Sequence, residues 1–549
     1  MIARLLGTFI TLFSLIMIIP PFVQLGMGDK ILGPGHANAF MGFGVSAALG
    51  GGIGLLLLRY GRKSPEEFFR REGLLSVALI WFLLAFLGGV PFYLTGVTGD
   101  LIDGFFEASS GLTTTGSSIF GGGDNAGVDQ LPDAILFWRA LLHWIGGIGI
   151  VVMFLVFLPA LGITNKKLFQ AEVAGVSKEG VKPRIRDSAK ALIRIYVILT
   201  SAIAISYWTL GMGPFDAICH SFATIATGGF STKAGSIAEY RSVGIEVAVI
   251  IGMFMSGVNF GLYFELGGRI RKRMGERRIP RFGDLPRPRD FKEIFWNDPE
   301  WRFYSTILVL AVLAITASLW FQVDRVIPSA GFDVEHDYTT LGGSLRDAAF
   351  QTTNLVSSTG FGNSNLNGFT FFAQVLLMII MVSGACSGST SGGLKMVRIL
   401  VVLRYLGNSM RRFIRPRSVE PLLLDGQRLE LGMMEAISAM FMLWIFVLVF
   451  ATLGVLILEP GLDPLSASSS VVACLSNMGP GFTQLIPHSM VAGQPLGIPA
   501  NAMGIDVSSY GSFGAYNDPT KILLSFVMIF GRLEIYTPLI IFMPSFWMD

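Results

Sequence analysis

The chain has 549 residues, of which 52% are apolar and only 14% charged, with a formal net charge of +3. An ordinary soluble domain carries about 25% charged residues, so this chain cannot dress its surface for water, and its 44 Phe and 9 Trp exclude a disordered one. So small a net charge gives no reason to expect nucleic-acid binding, and three cysteines (Cys219, Cys386, Cys474) supply no disulfide framework.

A bilayer-crossing helix needs about 20 mostly apolar residues. Ten runs qualify, at 5–27, 38–58, 74–97, 135–162, 189–211, 244–268, 302–323, 371–405, 431–458 and 521–546. They predict an all-α, multi-pass membrane protein. The first run, despite an early Arg4, is longer than a leader's apolar core and lacks a small-residue cleavage site, so it reads as a retained span. Lys and Arg gather in alternate loops, at 59–71, 166–190, 269–292 and 395–428, whereas 459–520 contains neither. The basic side is cytoplasmic, which places both termini inside. The run RIRKRMGERRIPRFGDLPRPRDFK (269–292) therefore reads as a cytoplasmic loop obeying charge topology.

Four outward connections repeat one design: FFEASSGLTTTGSS, FDAICHSFATIATGGFST, LRDAAFQTTNLVSSTGFGNSN and LDPLSASSSVVACLSNMGPGF. Each starts with an acidic residue (Asp103, Asp216, Asp347, Asp463), continues through small or apolar residues, and reaches a polar residue and then a glycine (Gly116, Gly228, Gly360, Gly479). Each is too short to cross a bilayer and lies between two segments that can. The simplest geometry is a helix that enters from outside, capped by its Asp, stops midway and returns as extended backbone. Such backbone survives at membrane depth only beside a water-filled cavity, so four copies need one shared pore. The chain divides accordingly: a two-span preface (1–72), pore repeats at 73–165 and 166–270, a basic cytoplasmic linker (271–300), a third repeat (301–410), and a fourth (411–549) with a long external segment (486–520).

A bare monovalent cation entering hydrocarbon loses its hydration at great cost, and a ring of backbone carbonyls replaces the lost water oxygens. Aiming carbonyls inward calls for φ values open mainly to glycine, and the negative C-terminal ends of short helices favour cations. No carboxylate ring accompanies the glycines, which disfavours a divalent-cation filter. The rival reading is small residues packing between spans, against which stands the fourfold recurrence on one side.

TTTGS, ATGGFST, SSTGFGN and NMGPGF resemble the four filter loops of the TrkH/TrkG/KtrB superfamily of potassium uptake proteins, as do HWIGGIGI (143–150), PRIRDSAKAL (183–192), GSTSGGLKMVRI (388–399) and GRLEIYTPL (531–539). The GRLEI tail and two leading spans resemble the TrkH type. By position, the resemblance implies that potassium is lined by Thr114, Thr115 and Gly116, by Ala226, Thr227 and Gly228, by Ser358, Thr359 and Gly360, and by Asn477, Met478 and Gly479. In plant relatives serine at the first filter glycine goes with sodium transport, and Gly116 is intact here. The fourth loop departs by lacking the Ser/Thr-Thr pair. The resemblance further implies a homodimer in the bacterial inner membrane and a cytosolic, nucleotide-binding regulatory subunit of the TrkA type, docked on loops 163–190, 269–300 and 406–430. No covalent cofactor is expected, only K+ in the filter.

Residues 383–393, SGACSGSTSGG, hold Gly384, Gly388, Gly392 and Gly393 inside the eighth run, where glycine costs a helix about 1 kcal/mol each relative to alanine. A span broken there must border the cavity; the resemblance implies a mobile gate. Arg532 lies in another apolar run, where an unpaired charge costs at least about 3 kcal/mol, so it should face the cavity and oppose cation passage. Glu534 faces elsewhere and reads as a structural pairing partner. Of the competing functions, an intramembrane enzyme would need more than Gly384, Cys386 and Gly388 in a span, because a nucleophile elbow requires a strand–turn–helix setting. His143 and His220 map to the outer half, away from Cys386, and read as satisfied polar residues. A secondary symporter coupled to H+ or Na+ uses inverted repeats more often than four units of one orientation.

Overall fold

The computed structural model describes the chain apart from residues 27–33, 64–69, 124, 161–184, 276–285, 323–336, 416–422, 425–426, 429–430, 484, 487–497, 500–505, 508–510, 540, 542 and 549. Its main helices in chain order are α1 (Ile2–Ile16), α2 (Ile19–Gly26), α3 (Pro34–Tyr60), α4 (Arg70–Leu94), α5 (Leu101–Leu112), α6 (Asp133–Ala160), α7 (Ile185–Thr209), α8 (Pro214–Ile225) and α9 (Val243–Ser256). There follow α10 (Phe260–Met274), α11 (Pro299–Phe321), α12 (Leu341–Val356), α13 (Phe371–Val382), α14 (Met396–Ile414), α15 (Leu431–Leu458), α16 (Pro464–Leu475) and α17 (Asp518–Arg532). Strand pairing among the described residues is confined to two-residue ladders, Leu423–Leu424 with Gln427–Arg428 and Leu485–Ile486 with Ile498–Pro499. The protein is an all-helical, multi-pass membrane protein.

Six of the described helices are long and apolar enough to cross a bilayer, or seven with α9–α10 taken as one bent span. Their outward faces carry Ile198, Ile205 and Trp208 on α7 and Met442, Phe446, Phe450 and Ile457 on α15, all more than a third exposed. Faces this apolar and continuous are stable against lipid and not against water. Behind α1–α3, the order long helix, short helix, long helix repeats four times, with α5, α8, α12 and α16 as the short members. Those four bury nearly all of their second halves; in α16 every residue from Ser469 to Leu475 is buried.

The first of the ten sequence-predicted spans turns at Met17–Ile18, between α1 and α2, and three more, all within the repeats, are not continuous helices. Run 244–268 is cut at Gly257–Asn259, where α9 and α10 meet at 90°, and Asn259 restarts the chain by accepting a hydrogen bond from Gly261 N–H (2.7 Å). Run 371–405 opens between α13 and α14, over the small-residue stretch that cannot sustain a helix. Run 521–546 stops at Arg532, beyond which Glu534 and Ile535 both take positive φ (59°). All three breaks lie on the second long helix of a repeat. The predicted docking loop 163–190 lies outside the described residues over 163–184, as do 276–285 of the basic linker and most of 486–510.

Candidate functional site

The four short helices end in the same way. At the end of α5, Thr114 N–H donates to Gly111 O (3.1 Å) and Thr115 N–H to Ser110 O (2.8 Å). The same pair of bonds recurs after α8 (Thr227 to Thr224, Gly228 to Ala223), after α12 (Ser358 to Leu355, Thr359 to Asn354) and after α16 (Asn477 to Cys474, Met478 to Ala473). This is the Schellman closure, in which the residue just past the helix is left-handed. That residue is usually glycine, yet here it is Thr114 (φ 55°), Thr227 (55°), Ser358 (56°) and Asn477 (52°). A non-glycine residue in this region costs roughly 1–3 kcal/mol and persists where surrounding contacts over-determine it.

Two residues further on, Gly116, Gly229, Gly360 and Gly479 also take positive φ (82–89°). They face a common cavity. A Cβ on Gly116 would overlap the carbonyl oxygen of Gly228, one on Gly229 that of Thr359, one on Gly360 that of Met478, and one on Gly479 that of Thr115. Each loop is thus pressed against the carbonyl of the next, and the fourth closes on the first. Four carbonyls (Thr115, Gly228, Thr359, Met478) form this ring, and none accepts a hydrogen bond among the described residues. They sit at the negative ends of four helices, an arrangement that suits a dehydrated cation.

This geometry corrects the predicted register of the second loop by one residue. Gly229, not Gly228, occupies the place of Gly116, so the second triplet is Thr227, Gly228 and Gly229, and Ala226 is the C-cap of α8. The double glycine allowed either alignment; only the helix-end bonds distinguish them. In the other three loops the predicted residues occupy equivalent positions.

The acidic residues are the predicted caps in only one loop. Asp463 accepts from Ser466 N–H at the start of α16, but α5 is capped by Asp100, α12 by Thr340, and α8 starts at Gly213–Pro214. The others hold the returning strand: Asp216 accepts from Thr232 Oγ1 (2.6 Å), Asp347 from Asn363 Nδ2 (3.0 Å), and Asp103 from Asn125 Nδ2 (2.9 Å) while pairing with Lys521 (2.5 Å). One turn along the helix in the first three repeats, and six residues past Asp463 in the fourth, a second tether reaches two or three residues past the loop glycine. Glu107 accepts from Ile119 N–H (3.0 Å), His220 Nε2 meets Ser231 Oγ (2.9 Å), Gln351 donates to Asn363 Oδ1 (2.8 Å), and Ser469 Oγ–H donates to Phe482 O (2.8 Å). Four chemistries do one job, so no motif betrays them. Asn477 explains the divergent fourth loop: its amide donates to Thr115 Oγ1 (3.0 Å) and Met528 O (2.9 Å), bridging to the first loop and to α17.

Behind the second loop, Glu107 pairs with Arg139 (2.7 Å), both buried, and the Arg139 guanidinium lies 4.1 Å from the Phe230 ring. His220 is satisfied as expected, with Nδ1 at Asp216 O (2.8 Å). His143 is not: neither ring nitrogen has a hydrogen-bond partner among the described residues, and the ring stacks on Phe230 at 4.2 Å. It fills the space beside Gly228, where a Cβ would overlap it.

Below the ring, residues 383–394 form a re-entrant loop, or hairpin, whose two ends lie side by side in parallel and are closed by Gly384 N–H to Leu394 O (2.7 Å). The hairpin touches three repeats. Cys386 N–H donates to Gly257 O (3.0 Å) and Phe260 N–H to Gly388 O (3.1 Å), so the break in α9–α10 is its seat. Thr390 Oγ1 donates to Ile225 O at the end of α8 (2.8 Å), and Gly392 N–H donates to Ser358 Oγ (2.8 Å), a residue of the third loop. A Cβ on Gly392 would overlap Ser476 O at the end of α16. Arg532, 4% exposed, donates from Nη1 to Thr390 O (2.7 Å) and from Nη2 to Gly146 O (3.3 Å), and no carboxylate pairs with it among the described residues. Glu534 instead pairs with Arg398 (2.8 Å), the structural role expected of it. Cys386 is buried and lies in irregular backbone after a helix, not in the strand–turn–helix setting that a nucleophile elbow requires.

Sequence reasoning passed over Glu300, buried at the start of α11 and bonded to this hairpin. An ionisable residue opening an apolar run was the available signal.

A family model described as "TrkH: Cation transport protein" matches residues 40–493. The Trk system potassium uptake protein TrkH of Escherichia coli (strain K12) is 35% identical over 552 residues, covering 100% of this chain and 99% of that protein. TrkH of Halomonas elongata is 32% identical with the same coverage. The crystal structure of the potassium transporter TrkH from Vibrio parahaemolyticus superposes with a TM-score of 0.79 at 33% identity, covering 100% of this chain and 99% of the other.

Proposed function

Because the chain belongs to the TrkH family of cation transport proteins, and is a transporter rather than an enzyme, we propose that it takes up potassium across the bacterial inner membrane. The observation that carries this reading is the closed ring of four unbonded carbonyls beneath four helix ends. A dehydrated K+ entering from outside meets oxygens from Thr114–Gly116, Thr227–Gly229, Ser358–Gly360 and Asn477–Gly479 in place of its water. The residues holding that backbone, from Asp103 to Gln351, fix the ring's radius; they do not touch the ion.

The hairpin 383–394 is the gate. It lies across the path below the ring, and Arg532, held on its Thr390 carbonyl, adds an uncompensated positive charge to the same level. Opening requires the hairpin to leave its seats on Gly257, Ile225 and Ser358. Several of those contacts are single hydrogen bonds worth about 1 kcal/mol each, so the closed state is one that a modest force can release. The four repeats, the two-span preface and cytoplasmic termini follow the charge pattern of the loops. A homodimer with a cytosolic TrkA-type regulatory subunit on the basic face would supply the force.

The test is potassium-dependent growth of a transport-deficient bacterium carrying this chain, with and without such a subunit, together with rubidium flux into liposomes. Growth rescue at low potassium and rubidium flux that sodium does not match are expected. Purified protein that passes no rubidium, with or without the subunit, ends the proposal.

A further inference from the structure

Glu300 is the second residue of α11 and only 1% exposed. Its carboxylate accepts three hydrogen bonds, two from the hairpin and one from the first turn of the helix that follows it. Ser387 donates from its backbone N–H to Oε1 (2.6 Å) and from its hydroxyl to Oε2 (2.7 Å), and Val397 N–H donates to Oε1 (3.1 Å). Ser387 lies on the entering limb of the hairpin; Val397 is in the first turn of α14, just after the leaving limb. The cap residue of α14, Lys395, makes no side-chain capping bond, so the carboxylate of another helix performs that task. One side chain therefore grips both ends of the gate. The positive ends of two helices, α11 and α14, offset part of the cost of burying its charge.

The turn carrying Glu300 continues directly from the cytoplasmic stretch 287–298. That stretch is tied to the end of α10 by Arg273 and Asp290 (2.5 Å), with Arg269 bridging to Glu293 (2.6 Å). Movement of this cytoplasmic stretch reaches the hairpin through a single carboxylate. We propose that Glu300 is the latch of the gate: a positioning residue that holds the hairpin across the path and whose release from Ser387 and Val397 frees it. The latch rests on the reading of the hairpin as the barrier.

The experiment is partner-free rubidium flux through the full-length protein in liposomes, with the K+/Na+ preference read alongside. E300A removes both acceptor oxygens, and with them all three hydrogen bonds, and should raise flux about tenfold with the ion preference unchanged. E300Q should restore most of the closure, because the amide oxygen accepts from both N–H groups while its NH2 donates to Ser387 Oγ. S387A, which loses one bond of three, should leak in the same direction to a smaller extent, and it serves if E300A does not fold. A fourth variant lacking residues 388–391 separates the two readings. If that deletion leaks and E300A and S387A do not, the latch is wrong and the barrier stands. If the deletion does not leak, both fall. Leakage of E300A together with lost ion preference marks filter damage and overturns the latch, as does E300Q leaking as much as E300A.

Discussion

The ring of carbonyls and the floor beneath it are built on opposite principles. In the ring four different sequences make one backbone: Thr114, Thr227, Ser358 and Asn477 share a φ of 52–56°, and the glycines two residues on share a φ of 82–89°. In the floor the four equivalent long helices make four different backbones. α6 stays continuous past Gly146, α9–α10 bends by 90°, α13–α14 opens into a hairpin, and α17 ends at Arg532. The physical demand differs. A spherical ion wants equal oxygens on every side, whereas a barrier that opens needs one element free to move against three that hold still.

The sharpest way to break this comparison is at the double glycine of the second loop. Gly229→Ala should abolish uptake, by a hundredfold or more, because the methyl meets the backbone carbonyl of Thr359 at a positive φ. No side-chain truncation should rescue it. Gly228→Ala also fails, but there the nearest atoms to the methyl all belong to the His143 ring, so the double variant H143A/G228A should recover uptake. Rescue of Gly229→Ala by H143A instead would return the register to the one predicted from sequence. Rubidium uptake in cells reads both.

Next in size is Arg532→Ala. Without the uncompensated charge, partner-free flux should rise about tenfold, corresponding to about 1.4 kcal/mol off the barrier, with the ion preference unmoved because the ring is untouched. Unchanged flux at equal protein removes the arginine from the floor's function. Two residues along, Glu534→Gln should alter flux less than twofold and lower the melting temperature slightly, since its part-exposed pair with Arg398 is worth about 1 kcal/mol or less. A large flux change there would mean that the floor extends further than the hairpin.

The smallest effect concerns pH in the stretch 287–298. The Asp290 carboxyl is held down to about 2, chiefly by the hydrogen bond from Arg273 and then by Arg287 N–H, against about 3.9 in an unfolded chain. A depressed carboxylate stabilises above its unfolded value and loses that contribution as pH falls from about 4 toward 2. Protection of the amides over residues 287–298, taken relative to the intrinsic exchange rate at each pH, should therefore be the same at pH 7 and pH 5. Lower protection at pH 5 would place the control of this stretch on another group.

Much of the molecule is written in composition and repetition. Apolar length and recurrence are one-dimensional quantities, so most of the spans and the fourfold unit are legible in the chain, as are the broken eighth span and the buried arginine. What resisted reading was chemistry without a recurring letter. Glu107, His220, Gln351 and Ser469 hold equivalent strands by four different hydrogen bonds, and three of the four acidic residues expected to cap helices hold returning strands instead. Glu300 was hidden because its partners are backbone N–H groups far along the chain, which any sequence would supply.

The sequence by itself determined that this protein lives in lipid and carries four re-entrant loops, because burial in hydrocarbon acts on each segment separately. Only the tertiary structure decided which glycine closes the ring, where three long helices break, and which carboxylate bonds the segment 383–394. Those depend on what stands opposite each backbone group once the four units have met.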